Sequence, residues 1–418
     1  MKYLKTQTKI KRIPSPCSKG SFTSNFSLLT SHFKTSAFSL TEVMVATSIL
    51  MLMMTMVMVM INNTSLVWKR SLSQSSFQGV QGALNSIANR IGKATLNSYL
   101  EYYGTVGVES PRRRVQGQSF TPTSYNYASD LHFRNDQASN LIKDVKTQTQ
   151  AVFFQAALGL SHDPDKYRAL GSLLNTCGYY IEYGSDEETR PGFLAELGDR
   201  IPIRYRYRLM EVVQPAELFN VYKHTLPTGQ DADNDYSGKA GPTYQSGDAG
   251  WLNDLDLAGT ANVRNCQKHV LVENIIALLF VPLRTKVDPE TNNFPQTTPE
   301  YRLMHPGNYY RHNSKLPFAA NAFGEQRGNA AYSKIFNRLP PLMRIVAIAI
   351  DETSAIRLAD ISGEDMPFSS SDYAFDINTY FLDASKYDAD LEEVGKELDK
   401  RSIVYRTFFT DVIIQEGR

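Results

Sequence analysis

The chain has 418 residues, 42% hydrophobic and 21% charged, enough for one large or two ordinary domains with a real core. Its net charge of +1 hides an asymmetry: residues 1–37 hold seven bases and no acid, and subtracting those seven from 44 leaves 37 bases against 43 acids, or −6, for residues 38–418. A body of that sign excludes a general attraction for nucleic acid or anionic lipid, so no nucleic-acid partner is expected.

The first 37 residues, with Lys2, Lys5, Lys9, Lys11, Arg12, Lys19 and Lys34, read as a basic leader rather than a folded domain. From Phe38 to Ile61 the only polar residues are Ser39, Thr41, Glu42, Thr47, Ser48 and Thr55. Twenty-four helical residues reach about 36 Å, enough to cross a hydrocarbon core about 30 Å thick. The upstream bases place the N-terminus in the cytoplasm and the body outside. The apolar core is longer than that of an ordinary secretory signal, and "INNTSLVWKR" offers no small-x-small cleavage site. Within this run Glu42 stands out, because a carboxylate in the membrane costs roughly 2.5–3.5 kcal/mol at the helix centre and less near an end. Cleavage between Ala37 and Phe38 would offset that cost by freeing an α-amine four residues before Glu42.

"AFSLTEVMVA" resembles the class III signal of type IV pilins and pseudopilins: a small residue before the cut, an aromatic after it and glutamate fifth in the mature chain. The resemblance implies processing at Ala37 and Phe38, N-methylation of Phe38, and an assembly role for Glu42, which pairs with the terminal amine of a neighbouring subunit. Its implied partners are a prepilin peptidase, other pilin or pseudopilin subunits, and the lipid of a bacterial inner membrane crossed once. Ala37 replaces the usual glycine, and Thr41 stands where isoleucine is common.

No proline interrupts residues 38–103. Phe77, Val80, Leu84, Ile87 and Ile91 follow spacings of 3, 4, 3 and 4, a single helical stripe. The pattern predicts one helix from about 39 to 101, with residues 38–61 in the membrane and an amphipathic continuation over 62–102. Residues 104–130, including "PRRR" at 111–114, read as loop.

The remainder, 103–418, reads as an extracytoplasmic body rich in strands. "CGYYIEYG" at 177–184 is one. "IRYRYRL" at 203–209 predicts a half-buried strand with Tyr205 and Tyr207 on one face and Arg204, Arg206 and Arg208 on the other. "HVLVENIIALLFVPLR" at 269–284 and "LMRIVAIAIDE" at 342–352 are apolar enough for central strands, with Pro282 expected to end or bulge the first. "SIVYRTFFTDVII" at 402–414 is a further strand, and "DADLEEVGKELDKR" at 388–401 a short helix, acidic first and basic last. Two polar insertions are expected, near 216–265 and 287–335. Asp231, Asp233 and Asp235 begin like a calcium loop, but Tyr236 and Pro242 stand where that loop needs glycine and glutamate. Cys177 and Cys266 form one bridge or are two separate buried residues; sequence leaves both open.

The expected fold is therefore α+β and pilin-like: a long N-terminal helix, its first half transmembrane, packed on an antiparallel sheet with loop insertions. "VLVENI" followed by "PPLMRIVAIAI" is similar to the strand order of the larger, J-type minor pseudopilins. "ATLNSYLEYY", "LLNTCGYYIEYG" and "LPPLMRIVAIAIDE" resemble the prepilin-like Verru_Chthon cassette type C proteins. No HExxH, GxSxG or P-loop is present, the seven histidines are scattered, and no catalytic role, metal or cofactor is expected. The function implied is a minor subunit at the start or tip of a short envelope-spanning pilus or secretion pseudopilus. The alternative is a tethered binding protein or enzyme.

Overall fold

The computed structural model describes residues 39–104, 122–167, 170–187, 190, 203–221, 250–259, 265–285, 301–303, 310–314, 337–369 and 375–415. The protein is α+β. It divides into two compact units, residues 1–65 and 66–418. Helix α1 (Leu40–Ile91) contributes residues to both.

The second unit contains two main antiparallel sheets. One has six strands, β3 (Arg134–Gln137), β4 (Thr147–Ala157), β5 (Leu174–Ser185), β6 (Tyr205–Gln214), β7 (Gln267–Glu273) and β10 (His312–Asn313), in the order β10-β3-β4-β5-β6-β7. The other is ordered β12-β11-β8-β9, with β8 (Ile275–Thr285), β9 (Tyr301–Leu303), β11 (Leu342–Ile350) and β12 (Tyr405–Ile413). A separate hairpin pairs β1 (Tyr99–Gly104) with β2 (Pro122–Ala128).

Strand alternation sorts the side chains of the six-stranded sheet into two cores. Val152, Phe154, Cys177, Tyr179, Leu209 and Val213 face a main core shared with the four-stranded sheet and the stripe Phe77, Val80, Leu84, Ile87 and Ile91 of α1. Their neighbours Ala151, Phe153, Tyr180, Met210 and Val212 face a smaller core on the other side, closed by Trp251, Leu252, Leu255 and Leu257. Gly178 belongs to that second face. A Cβ there would lie 2.2 Å from the Phe153 ring, so the ring needs a residue without a side chain opposite it.

Helix α1 ends ten residues before the expected boundary. After Ile91 the chain tightens through Lys93 N–H to Arg90 O (3.0 Å) and Ala94 N–H to Ile91 O (2.9 Å). Thr95 N–H then donates to Gln155 O at the end of β4 (3.0 Å). Past that point the β-favouring run "YLEYYG" pairs with β2, so part of the expected 104–130 loop is strand; "PRRR" lies outside the described residues.

The run at 269–284 is two strands in different sheets, not one. The break is Asn274, at φ +66°, a left-handed conformation that asparagine tolerates. Pro282 neither ends nor bulges β8: it pairs opposite Met343, and the ladder continues to Leu283. Among the described residues β9 pairs only with Leu283, Arg284 and Thr285, so at Pro282 the strand is paired on one side, where a missing N–H is tolerated. Over 276–280 the same unpaired side is covered by side chains of the buried "TQTQ" segment. Leu278 N–H donates to Thr149 Oγ1 (3.0 Å), Phe280 N–H to Gln150 Oε1 (2.6 Å), and Gln148 Nε2 to Ile276 O; Asn135 Nδ2 donates to Phe280 O (2.9 Å). These polar residues stand in for a neighbouring strand.

Helix α2 (Glu352–Ser362) starts at Asp351, whose carboxylate accepts from Ser354 N–H at 3.0 Å. Helix α3 (Tyr387–Lys400) matches the expected acidic-to-basic segment. The expected insertions are exposed only in part. Trp251, Leu252, Leu255 and Leu257 from the first, and Tyr310, His312 and Asn313 from the second, are buried. The calcium-like aspartates lie outside the described residues. The aromatic face of β6 behaves as expected: Tyr205 OH donates to Glu364 (3.0 Å) and Tyr207 OH to Pro367 O, as Tyr183 OH of the neighbouring β5 does to Gly363 O (2.7 Å). The basic face is not solvated. Arg206 is buried and reaches Glu352 at 2.6 Å, and Arg208 is buried beside Gly184, because this side of the sheet carries a second core.

Candidate functional site at the start of the N-terminal helix

Leu40–Ser65 is the one stretch among the described residues long and apolar enough to cross a membrane, 26 residues that include an 18-residue window of mean hydropathy 2.3. At 1.5 Å per residue it is about 39 Å long. None of it is buried within the protein. Four of its hydroxyls bond back to the helix itself. Thr47 donates to Val43 O and Met44 O (both 3.0 Å), Ser48 to Val45 O (2.8 Å), Thr55 to Leu52 O (2.8 Å) and Thr64 to Met60 O (2.8 Å). Such back-bonding lets a polar residue sit on an apolar helix without an orphaned donor. Glu42 is the only ionisable residue of the 26.

Glu42 occupies the third helical position. Ser39 N–H donates to its Oε2 at 3.1 Å and Ser39 Oγ to the same oxygen at 3.3 Å, while Glu42 N–H donates to Ser39 Oγ at 3.2 Å. This reciprocal arrangement is a capping box, which satisfies donors the first helical turn leaves open. Both side-chain contacts use Oε2, so Oε1 is available to a second donor; among the described residues it has none. Ser39 is not among the residues singled out from sequence, yet Ser-x-x-Glu before an apolar run is a legible signal. Ala37 and Phe38 lie outside the described residues.

In the second unit, the end of α1 is tied to the six-stranded sheet by a polar cluster within the main core. Arg90 Nη1 lies 3.2 Å from Glu211 Oε1, and Tyr179 OH donates to the same oxygen at 2.8 Å. Burial, reinforced by Glu211, pushes the Tyr179 phenol far up. Burial likewise pushes the adjacent Cys177 thiol up to about 12, which makes it a poor nucleophile. Cys266 is also buried and its thiol contacts Leu255 O at 3.1 Å. The two cysteines are free thiols. The bridge left open by sequence is absent, because Cys177 faces the main core and Cys266 the second core across the same sheet.

The carboxylates adjacent in sequence, Asp351 and Glu352, serve structure: one caps α2, the other holds Arg206 and accepts from Asn274 Nδ2 at 2.8 Å. The small cleft between Tyr183, Tyr205, Tyr207, Asn274, Leu358 and Pro367 offers about 10 Å³, room for one water. Among the described residues no three His, Cys, Asp or Glu side chains group as metal ligands. Compared with known protein families, characterised proteins and solved structures, the chain has no significant match. The arrangement therefore defines an α+β protein with one candidate membrane helix, compatible with single-pass anchoring.

Proposed function

We propose that the chain is a prepilin-like subunit, a minor pseudopilin or minor pilin. Its leader is cut after Ala37 by a prepilin peptidase, its new Phe38 terminus is methylated, and it joins a short envelope-spanning fibre in a bacterial inner membrane. Glu42 pairs with the terminal amine of an adjoining subunit, and the 38–61 helices pack together. The body stands outside the membrane as the surface that selects neighbouring subunits, and its bulk suits a subunit used at initiation or at the tip rather than one repeated along the fibre. The reading assigns no catalytic step. The observation that carries it is the position of Glu42, the sole ionisable group on a 26-residue apolar segment that is exposed along its whole length among the described residues. Its unused Oε1 suits a cation supplied from outside the chain.

One observation favours a second reading. The capping box gives Glu42 a local role, which fits a chain that uses the helix only as a tether for a binding protein or enzyme. Glutamine keeps a capping box and removes the charge, so Glu42→Gln separates the two. The fibre reading expects Glu42→Gln to be processed normally yet lost from co-purified subunit complexes, as Glu42→Ala is. The tether reading expects Glu42→Gln to behave as wild type. Mass spectrometry of the N-terminal peptide from membranes tests processing directly: a mature chain beginning at methylated Phe38 supports the fibre, and an uncut chain leaves the tether.

A further inference from the structure

The described ends of the two insertions meet at one buried imidazole. His132 lies between β2 and β3, and its backbone N–H donates to Gln155 Oε1 at 2.7 Å. Trp251, from the one-turn helix Gly250–Asn253, donates its indole N–H to His132 Nδ1 at 2.9 Å. Asn313, in β10, places Oδ1 2.7 Å from His132 Nε2. Indole nitrogen is a donor only, so Nδ1 must be bare. The remaining proton then sits on Nε2, where it donates to Asn313. The two bonds coexist only for the neutral ring in this one tautomer; of the two, the Nε2 bond to Asn313 survives protonation and the Trp251 bond does not. A second proton would go to Nδ1 and set two donors against each other.

We infer that His132 is a proton-controlled clip, which holds the Trp251 and Asn313 segments to the six-stranded sheet while neutral and releases Trp251 when protonated. Trp251 is packed edge-on to His132 and to Phe153, with centroids at 5.8 and 6.4 Å, and its carbonyl accepts from Asn220 Nδ2 at 3.1 Å. Beside Asn313, His312 packs edge-on to Phe133, and its Nε2 lies 2.9 Å from Arg338 O. Burial depresses the His312 pKa to about 4, so this neighbour too is held neutral. Among the described residues, the charged and titratable groups on the elements that meet here include Asp130, Arg134 and Asp136 flanking His132, Asp254 beside Trp251, and Arg311 and His312 beside Asn313. Of these, Arg134 and Asp136 lie 3.7 Å apart.

The sign follows from the neutral requirement. The unfolded ring takes its proton near pH 6.5 and the clipped ring resists it, so the clip is complete above that pH and weakens as pH falls. The test uses the full chain in detergent with Trp68→Phe, which leaves Trp251 as the sole tryptophan. Between about pH 7 and 4, Trp251 emission should shift to the red and the peptide covering 250–259 should lose hydrogen-exchange protection, while 310–314 and β11 stay protected. His132→Gln, which cannot titrate there, should abolish that step, and His312→Gln should leave it in place. Unchanged Trp251 emission, the same step in His132→Gln, or its loss in His312→Gln would overturn the assignment. Should His132→Gln fail to fold, the wild-type exchange data decide alone: retained protection of 250–259 down to about pH 4, or its loss only together with 310–314 and β11, refutes the clip.

Discussion

The two ends of α1 are both apolar, and they behave in opposite ways. Over Leu40–Ser65 hydrophobic residues occupy every side of the helix and none is buried; Met54 is 72% exposed. Over Phe77–Ile91 only a narrow stripe is apolar, and Leu84, Ile87 and Ile91 are completely buried. Total hydrophobicity therefore does not decide burial within the protein; periodicity does. A stripe at spacings of 3 and 4 meets one facing core, whereas an all-round apolar surface suits lipid or other helices. The polar groups divide the same way. In the first segment hydroxyls fold back on their own carbonyls, while in the second Arg90 reaches across to Glu211.

Truncation should break this symmetry most sharply. Leu84→Ala removes a fully buried side chain and should cost the body about 2–5 kcal/mol in denaturant unfolding. Met54→Ala should leave the same transition within about 0.5 kcal/mol. Equal effects would mean the stripe is not the seam. A smaller loss, about 1–2 kcal/mol after discounting for the partly exposed Arg90 side chain, is expected for Arg90→Met, because Glu211 loses its cation. A double-mutant cycle with Glu211→Gln should show coupling between the two; additive losses would remove Arg90 from the cluster. The smallest change is expected at the other end of the helix. Ser39→Ala deletes one half of the capping box and should lower helicity of a 39–65 peptide in micelles by the equivalent of about 1 kcal/mol or less, read by circular dichroism. Ser39→Thr should restore it.

Much of the fold is written in local patterns. The stripe from Phe77 to Ile91 is legible by its helical period, helix α3 by its acidic-to-basic order, and strands β5 and β11 by their runs of apolar and aromatic residues. What escaped were features set by distant partners. The apolar run at 269–284 gives no sign that Asn274 turns it into a second sheet. Arg206 and Arg208 look solvated until Glu352 and the second core cover them. Nothing local marks the "TQTQ" segment as buried, because the edge of β8 that it satisfies lies about 130 residues away. The candidate site divides likewise. Glu42 and the Ser39 capping signal are local, whereas the His132 clip joins positions 119 and 181 residues apart.

Sequence alone determined the single apolar helix, its lone carboxylate at the N-terminal end and the α+β content of the body, because spacing and composition within a few turns suffice for each. Tertiary structure alone decided that Cys177 and Cys266 face different cores, that Trp251 and Asn313 share one imidazole, and that α1 stops at Ile91. Those outcomes depend on which strands become neighbours. Pairing is chosen by long-range packing and by hydrogen-bond satisfaction, and no short window of residues carries that information.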